Sequence, residues 1–402
     1  MKKTAILGLL LALCLSLAGC SGEGAPAGQE LSELEHLESA ATVISLSGDA
    51  GEIDGPGASF ENGTLSISTG GSFLVSGSLE NGRILVDTGE TKQDVNLILD
   101  AVSIHCETDA AIYVERADKT RIYVKDTAPS TLSSGAARTD NLLLTEASGA
   151  AVYGEDDLEF MGPGTLIIEG NINNGIGCKN DVDVNGGVLE ISAVNHGIKG
   201  NESVDIKGGE VSISCGNDGL KTDDAEKEGK GSVSVTGGTL NIKSQDQGIS
   251  SIKDINISGG QVNIVSQRDG LNADKELGGS VNLSGGSVFI SSGNDAIDAA
   301  GGKLNISGGS LLALGKDKDL KAPVEASVPC YAGSLKLAEG ETLTVKDAAG
   351  ETLAELLSAY EAKTVFISLP DTQSGDSLEL FTGADESSLK SAGSITVEKK
   401  EA

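Results

Sequence analysis

Tryptophan is absent from this 402-residue sequence, which also has only 5 tyrosines, 6 phenylalanines and 7 prolines. A core built on large aromatic side chains is therefore excluded. Glycine is abundant, with 55 residues, and valine, isoleucine, serine, threonine and asparagine recur throughout. This composition favours short β-strands separated by tight turns, so the sequence predicts an all-β fold.

Basic residues are also scarce, because 29 lysines and arginines face 60 aspartates and glutamates, for a formal net charge of −31. Nucleic acid binding relies on clustered lysine and arginine, so nucleic acid is excluded as a partner. Cations, or anions bridged by cations, are better candidates. The 3 histidines, His36, His105 and His196, provide no Ser/His/Asp or Cys/His constellation.

Long apolar runs are missing except at the N-terminus. Lys2 and Lys3 precede an apolar run from Ala5 to Leu17, which leads into Leu17-Ala18-Gly19-Cys20. This pattern predicts a signal peptide over residues 1–19, and it resembles bacterial lipoprotein signals, in which Cys20 becomes the lipidated N-terminus. The run is too short to span a bilayer. We therefore expect a monomeric protein on the extracellular face of the bacterial cell membrane, held only by its lipid.

Residues 20–41 are polar and predict a tether with a short helical piece through Leu31 to Leu37. Beyond the signal and Cys20, the remaining cysteines are Cys106, Cys178, Cys215 and Cys330. Their spacing matches no zinc or redox pattern, and Cys215 takes the place of Ala193 one repeat earlier. We expect buried free thiols.

A repeated unit occupies residues 180–315. Each copy has a Gly-Gly pair, an x-[Val/Leu]-x-Ile strand and a turn that ends in a buried aliphatic residue. The pairs start at Gly186, Gly208, Gly237, Gly259, Gly285 and Gly308, so the spacings are 22, 29, 22, 26 and 23 residues. From the second glycine to the turn aliphatic the distance is always 11 residues, as from Gly187 to Ile198. The length variation is thus confined to one segment, and insertions should emerge from one edge of a stack.

The repeat predicts a parallel β-helix over residues 42–325, in which coils about 4.8 Å apart stack columns of Ile, Val and Leu inside. The glycines provide positive φ at a corner. A β-propeller needs longer repeats. Residues 326–402 predict a small β-rich module that caps the open end, with a helix through Leu353 to Tyr360 and strands at Leu335–Leu337, Leu343–Val345, Val365–Leu369 and Leu378–Phe381.

One column of residues stands just before each turn glycine or alanine, and we call it the turn column: Asn174, His196, Asp218, Gln247, Asp269 and Asp295. Two insertions follow the turns and carry an aspartate three residues after the aliphatic. Stacked carboxylates repel one another unless a cation neutralises them, and calcium takes six to eight oxygen ligands. The predicted calcium ligands are Asp218, Asp223, Asp224, Asp246, Asp269, Asp274, Asp295 and Asp298. The alternative is that Asp-Gly is simply a good turn sequence.

Lys199, Lys221 and Arg268 flank this acidic edge and are the candidate substrate-binding residues. Tyr113 and Tyr153 are among the few tyrosines that could stack on a sugar, so calcium-bridged recognition of uronates fits the composition better. The enzymatic alternative is β-elimination, in which calcium acidifies the proton beside a uronate carboxylate and a lysine or arginine removes it.

Several segments together resemble a secreted bacterial family, the carbohydrate-binding domain-containing proteins with a calcium-binding, right-handed parallel β-helix related to pectate lyases. The matching segments are residues 95–100, 110–114, 157–160, 195–200 and 217–221 with the Gly-Gly strands. The resemblance implies binding of cellulosic or acidic polysaccharide without cleavage, with calcium held by turn aspartates. Asn195, His196 and Gln247 depart from the aspartate pattern of the other turns.

The leading hypothesis is a lipoprotein that binds polysaccharide through a calcium-stabilised β-helix without catalysis. The alternatives are a calcium-dependent, pectate-type lyase and a purely structural surface protein or adhesin.

Overall fold

A computed structural model describes residues 34–135, 149–224, 226–299, 301–316 and 324–400. The predicted signal peptide, Cys20 and most of the predicted tether lie outside the described residues. A short helix over residues 34–39 precedes the first strand. In the part of the chain that the structure describes, no helix is long and apolar enough to cross a membrane.

The described residues form thirty-eight strands after this helix. The first ten are β1 (Thr42–Gly48), β2 (Ala50–Asp54), β3 (Ala58–Glu61), β4 (Thr64–Ile67), β5 (Gly71–Leu79), β6 (Arg83–Asp87), β7 (Val95–Cys106), β8 (Ile112–Arg116), β9 (Lys119–Val124) and β10 (Ser130–Ser134). The next are β11 (Val152–Gly154), β12 (Asp157–Met161), β13 (Thr165–Gly170), β14 (Ile176–Cys178), β15 (Asp181–Val184), β16 (Val188–Ala193), β17 (Ile198–Gly200), β18 (Ser203–Ile206), β19 (Glu210–Cys215), β20 (Leu220–Lys221) and β21 (Ser232–Val235). The repeats end with β22 (Thr239–Ser244), β23 (Ile249–Ser251), β24 (Ile255–Ile257), β25 (Gln261–Ser266), β26 (Leu271–Ala273), β27 (Val281–Leu283), β28 (Ser287–Ser292), β29 (Ile297–Asp298), β30 (Leu304–Ile306) and β31 (Ser310–Gly315). The C-terminal strands are β32 (Val324–Leu337), β33 (Thr342–Lys346), β34 (Thr352–Leu357), β35 (Ala362–Ser368), β36 (Ser377–Gly383), β37 (Lys390–Thr396) and β38 (Glu398–Lys400).

Each coil contributes three strands, which pair in parallel with the same strands of the next coil. The short sheet runs through β8, β11, β14, β17, β20, β23, β26 and β29. The medium sheet contains β9, β12, β15, β18, β21, β24, β27 and β30, and the long sheet contains β10, β13, β16, β19, β22, β25, β28 and β31. The all-β, parallel β-helix prediction is confirmed.

The constant 11-residue offset is visible in the register of the short sheet. Ile198 pairs with Leu220, Leu220 with Ile249, Ile249 with Leu271 and Leu271 with Ile297. These side chains are at most 1% exposed and form one internal column. The buried column explains why the offset does not vary, since a slip of one residue would turn every aliphatic outward.

The structure also confirms the predictions of buried free thiols and of positive φ at the corner glycines. Ala193 pairs with Cys215, and all four cysteines of the folded body are free and buried. At the corner between medium and long strands, the second glycine of each pair has positive φ, for example +78° at Gly209. A Cβ atom there would lie 2.5 Å from the carbonyl oxygen of Gly187 in the preceding coil. Glycine is therefore required by both conformation and close approach.

The C-terminal strands continue the helix before they leave it. β32 pairs in parallel with β30 and then turns back against β35, which also pairs antiparallel with β31. A four-stranded antiparallel sheet, in the order β34-β33-β36-β37, follows. Phe289, Leu312 and Leu314 point outward from the last coils, yet they are buried in the apolar cluster of this module.

The predicted helix through Leu353 to Tyr360 is wrong, because Thr352–Leu357 forms strand β34. Ala354 and Leu356 alternate inward, and β34 pairs antiparallel with β33 along its length. The hydroxyl of Thr344 also donates to the carboxylate of Glu355 at 2.9 Å. Cross-strand pairing has overridden the local helix propensity of leucine, alanine and glutamate.

Candidate functional site

The outward side chains of the short sheet form one continuous row, which we call the short-sheet row. Its members pair coil by coil in the order Tyr113, Tyr153, Gly177, Lys199, Lys221, Ser250, Asn272 and Asp298. Although it points away from the interior, Lys199 is only 2% exposed and Ser250 7%. Neighbouring turns and insertions therefore partly cover the row, and we call this region the groove and the row its floor.

The turn column lies along one side of the groove, and its side chains are linked by hydrogen bonds from coil to coil. The backbone N–H of His196 donates to Asn174 Oδ1 at 3.2 Å, and that of Asp218 donates to His196 Nδ1 at 3.3 Å. The N–H of Gln247 donates to Asp218 Oδ1 at 3.1 Å. These side chains hold the next turn in place, and His196 Nδ1 also lies 3.5 Å from Asp218 Oδ2.

Asp269 repeats this arrangement further along, since its Oδ1 accepts the N–H of Asp295 at 3.1 Å and the side-chain amide of Asn294 at 2.7 Å. Burial raises the pKa of the Asp269 carboxyl, although these two donors favour its charged form. The side chains of the turn column thus stabilise the next turn through hydrogen bonds. Where the side chain is a carboxylate, the burial of its charge is unfavourable.

A cavity of about 380 Å³, the acidic cavity, opens above the end of the short-sheet row. Four of the predicted calcium ligands line it, together with amide side chains and two cations: Asp269, Asp274, Asp295, Asp298, Gln247, Asn272, Asn294, Arg268 and Lys275, with Ala273. The carboxylates outnumber the cations, and the other side chains provide neutral oxygens. Asp274 also shapes the wall, because its Oδ1 accepts the N–H of Glu276 at 2.7 Å.

Lysines occupy the adjacent part of the floor. Lys221 Nζ lies 3.5 Å from Asp218 Oδ2 and 3.3 Å from the Ser250 hydroxyl, while Lys199 Nζ lies 2.8 Å from Asp223 Oδ2. Burial raises the pKa of Asp218, and the charge of Lys221 opposes that effect. The floor is therefore cationic at Lys199 and Lys221 and becomes acidic at Asp298, three coils beyond Lys221.

The remaining predicted ligands lie elsewhere. Asp223 and Asp224 line a second cavity of about 680 Å³ between the two insertions, and Asp224 Oδ1 accepts the N–H of Glu226 at 2.9 Å. Asp246 is paired with Arg268 at 3.3 Å. The eight aspartates thus share one edge of the solenoid but fall into separate groups.

Among the described residues, no three histidine, cysteine, aspartate or glutamate side chains lie close enough together to hold a metal ion. The acidic cavity gathers its four carboxylates around its rim rather than around one point. Calcium therefore stays a prediction.

The sequence did not reveal that Tyr113 and Tyr153 are neighbours. Their ring centroids are 5.5 Å apart, and Arg83 Cζ lies 6.0 Å from the centroid of the Tyr113 ring. The Tyr153 hydroxyl donates to Glu155 Oε1 at 2.9 Å. The preceding segments, Ala110-Ala111-Ile112 and Ala150-Ala151-Val152, align and could have shown the pairing. Because its ring lies between Tyr153 and Arg83, Tyr113 offers no free face for a sugar.

Known proteins share this architecture. A carbohydrate-binding domain-containing protein from Acetivibrio thermocellus is 32% identical over 193 residues, which is 48% of this chain and 65% of that protein. The match thus spans just under two thirds of that relative. The solved structure of a polysaccharide lyase-like protein from C. thermocellum, a gadolinium derivative, has a TM-score of 0.54 at 32% identity and covers 67% of this chain and 100% of its own.

The family model of carbohydrate-binding domain-containing proteins matches residues 61–311, which include the short-sheet row and the acidic cavity. Since this match covers well over half of the 402 residues, the chain belongs to the family of carbohydrate-binding domain-containing proteins.

Proposed function

We propose that this protein binds an acidic polysaccharide along the short-sheet row without cleaving it, and that calcium in the acidic cavity bridges to the sugar carboxylates. The observation that carries the proposal is the order of charges on the groove floor. Lys221 lies two coils from Asn272, about 10 Å at the usual strand spacing, and Asn272 lines the acidic cavity. A uronate chain along the axis would meet the lysine first and the calcium ion next.

The cavity suits calcium in the kind of donor that it offers. Carboxylates and amide oxygens at its rim are hard ligands, and calcium accepts them with flexible geometry and with water in the remaining positions. Because three carboxylates do not already surround one point, ion binding must draw the rim side chains inward. The similar solved structure is that of a gadolinium derivative, and gadolinium, like calcium, is a hard cation.

We further propose that the mature protein begins at a lipidated Cys20, stands on the extracellular face of the cell membrane and acts as a monomer. The sequence of residues 17–20 supports the lipid anchor. If Cys20→Ser leaves the protein in the membrane fraction rather than releasing it to the medium, the anchor proposal fails.

The second candidate function is a calcium-dependent lyase, which the position of Lys221 beside the cavity favours. A base must reach the proton of its substrate, whereas Lys221 Nζ is already held 3.5 Å from Asp218 Oδ2 and 3.3 Å from the Ser250 hydroxyl. Binding without cleavage is therefore the better reading. A rise in ultraviolet absorbance from unsaturated uronates, with polygalacturonate and calcium, that is lost in Lys221→Ala would establish the lyase instead.

Calorimetry tests the binding proposal directly. The soluble chain from Ser21 is titrated with calcium and then with oligogalacturonate. We expect oligogalacturonate heat only after calcium, and we expect Asp298→Asn to weaken both steps. Binding of oligogalacturonate that is equally strong in chelator would overturn the calcium bridge. A correctly folded protein that binds no glycan would favour the structural or adhesin role.

A further inference from the structure

Three asparagines form a row on the outer side of the medium sheet, which is a different sheet from that of the short-sheet row. Asn256, Asn282 and Asn305 lie in register on β24, β27 and β30 and alternate with buried aliphatic residues. Nδ2 of Asn282 donates to Asn256 Oδ1 at 2.8 Å, and Nδ2 of Asn305 donates to Asn282 Oδ1 at 2.8 Å. Each bond uses one N–H and one lone pair, so an amide inside the row keeps a second donor and a second acceptor.

A row of hydroxyls runs beside the amides. Ser258, Ser284 and Ser307 each follow the row asparagine by two residues, so they point to the same side of the sheet, and all three are exposed. Their backbone N–H groups bond to the preceding coil, as that of Ser284 does to Ile257 O at 2.9 Å. The hydroxyl row therefore has the same coil-to-coil spacing as the amide row. Thr236 begins this row one coil earlier.

We call this surface the amide–hydroxyl face: Asn256, Asn282, Asn305, Thr236, Ser258, Ser284 and Ser307. None of its seven side chains is charged, although the whole chain carries a formal charge of −31. Both rows end at a cavity of about 320 Å³ that Asn305 and Ser307 line together with Glu325 and Lys400. The face therefore joins a strip of uncharged side chains to a pocket that contains Lys400 and Glu325, and Glu325 is also ion-paired with Lys303.

We propose that the amide–hydroxyl face binds an uncharged polysaccharide chain, independently of calcium. Sugar hydroxyls donate and accept hydrogen bonds, and the free amide and hydroxyl groups of the face do the same at each coil, about 4.8 Å apart. The one lysine beside Asn305 on this side of the strand, Lys303, is ion-paired with Glu325, so an acidic chain would gain little along the strip. The terminal cavity accommodates the next sugar, with Glu325 accepting from a hydroxyl and Lys400 donating to one. This proposal rests on the proposed function in one respect only, namely that the ligand is a polysaccharide.

The test uses the full chain in detergent, with chelator present, and measures its depletion by microcrystalline cellulose as the neutral probe. Asn282→Leu removes the central amide, and we expect retention to fall about tenfold, as the loss of one or two hydrogen bonds predicts. The matched control is Asn263→Leu on the long sheet, where Nδ2 of Asn263 donates to Asn241 Oδ1 at the same 2.8 Å. Asn263 also accepts from Gln261 Nε2 at 3.4 Å, so this control, like Asn282→Leu, loses two side-chain hydrogen bonds. They lie on a different face, and the control should keep its retention.

A second pair of variants leaves both amide ladders intact. Ser284→Glu places a charge in the hydroxyl row, while Ser214→Glu places one at an exposed position of the long sheet. We expect only Ser284→Glu to lose retention. The proposal is overturned if the two leucine variants lose retention equally, if neither Asn282→Leu nor Ser284→Glu weakens it, or if chelator abolishes retention by the wild type.

Titration with oligogalacturonate in calcium separates this proposal from the acidic groove. Asn282→Leu should bind oligogalacturonate like the wild type, because the amide–hydroxyl face is on another sheet. If the proposed binding of acidic polysaccharide in the groove is wrong, the protein will not bind oligogalacturonate but will still be retained by cellulose.

Discussion

At the scale of single residues, the turn column separates two roles that an aspartate can play in a stacked coil. Asn174, His196 and Asp218 all accept the backbone N–H of the next turn, although only one of them is acidic. The hydrogen-bond ladder therefore needs an acceptor and not a charge. A carboxylate in this column costs stability through burial, so its presence favours a bound cation or a lysine partner.

Asp269→Asn tests this separation. Asparagine keeps the oxygen that accepts from Asp295 and Asn294 but removes the buried charge. We expect the calcium-free variant to unfold a few degrees above the wild type at pH 7, and to gain nothing from calcium. Scanning calorimetry with chelator, and then with calcium, measures both effects.

The pH dependence follows from the raised pKa of Asp269. A raised folded-state pKa means that the native state binds the proton more tightly than the unfolded chain does. The penalty is therefore fully present at neutral pH, begins to fall as the pH drops through the folded pKa, and is gone below the unfolded pKa. The difference between Asp269→Asn and the wild type in chelator should therefore shrink on acidification. A variant that is less stable than the wild type in chelator at pH 7 would contradict this account.

Lys221→Ala tests the cationic part of the groove floor. Removal of the side chain takes away a contact for a sugar carboxylate, and we expect oligogalacturonate to bind about tenfold more weakly, while calcium binding is unchanged. Titration calorimetry separates the two steps. Lys243→Ala, at an exposed position of the long sheet, is the control for a general loss of positive charge. If Lys221→Ala and Lys243→Ala weaken oligogalacturonate binding equally, Lys221 is not part of the binding site.

At the scale of elements, the sequence predicted the register of the coils because the 11-residue offset is fixed by a buried column, as in the pairing of Leu220 with Ile249. It failed at Thr352–Leu357, where the local residues favour a helix and only the neighbouring strand β33 decides otherwise. It also missed the amide–hydroxyl face, although Asn-Ile-Ser-Gly-Gly or Asn-Leu-Ser-Gly-Gly occurs at residues 256, 282 and 305.

The candidate site was predicted as one acidic edge, and the structure divides that edge. Insertions of different length carry Asp223 and Asp274 to different cavities. Sequence spacing shows that an insertion leaves the stack, but its path depends on contacts such as the ion pair of Lys227 with the buried Glu202. Those contacts join residues from different coils, so no local pattern reveals them.

Gly209→Ala tests the corner of the coil. Alanine must adopt a φ of +78° there and place its Cβ 2.5 Å from a carbonyl oxygen, and we expect a loss of about 2 kcal/mol or more. Gly278→Ala has nearly the same φ, +72°, but its nearest atom is 3.4 Å away. Denaturant unfolding of both variants separates conformational strain from close approach. If the two variants lose the same stability, close approach between coils is unimportant.

At the scale of the whole molecule, the C-terminal module solves two problems that every solenoid has at its last coil. β32 and β35 pair with β30 and β31 and so satisfy the open edge. The module also covers Leu312 and Leu314, whose side chains point outward and are fully buried. An uncovered last coil would offer both an unpaired edge and an apolar face to other molecules.

Removal of residues 324–402 should therefore make the protein associate more strongly than the full chain does, which light scattering after gel filtration would detect. A second truncated chain carries Leu312→Ser and Leu314→Ser, which makes the exposed face polar but leaves the edges of β30 and β31 unpaired. We expect it to associate as well, because backbone pairing between edges does not require the apolar face. If the serine variant is monomeric, the face drives association. If the simple truncation is already monomeric and unfolds at the wild-type temperature, the module is not a cap.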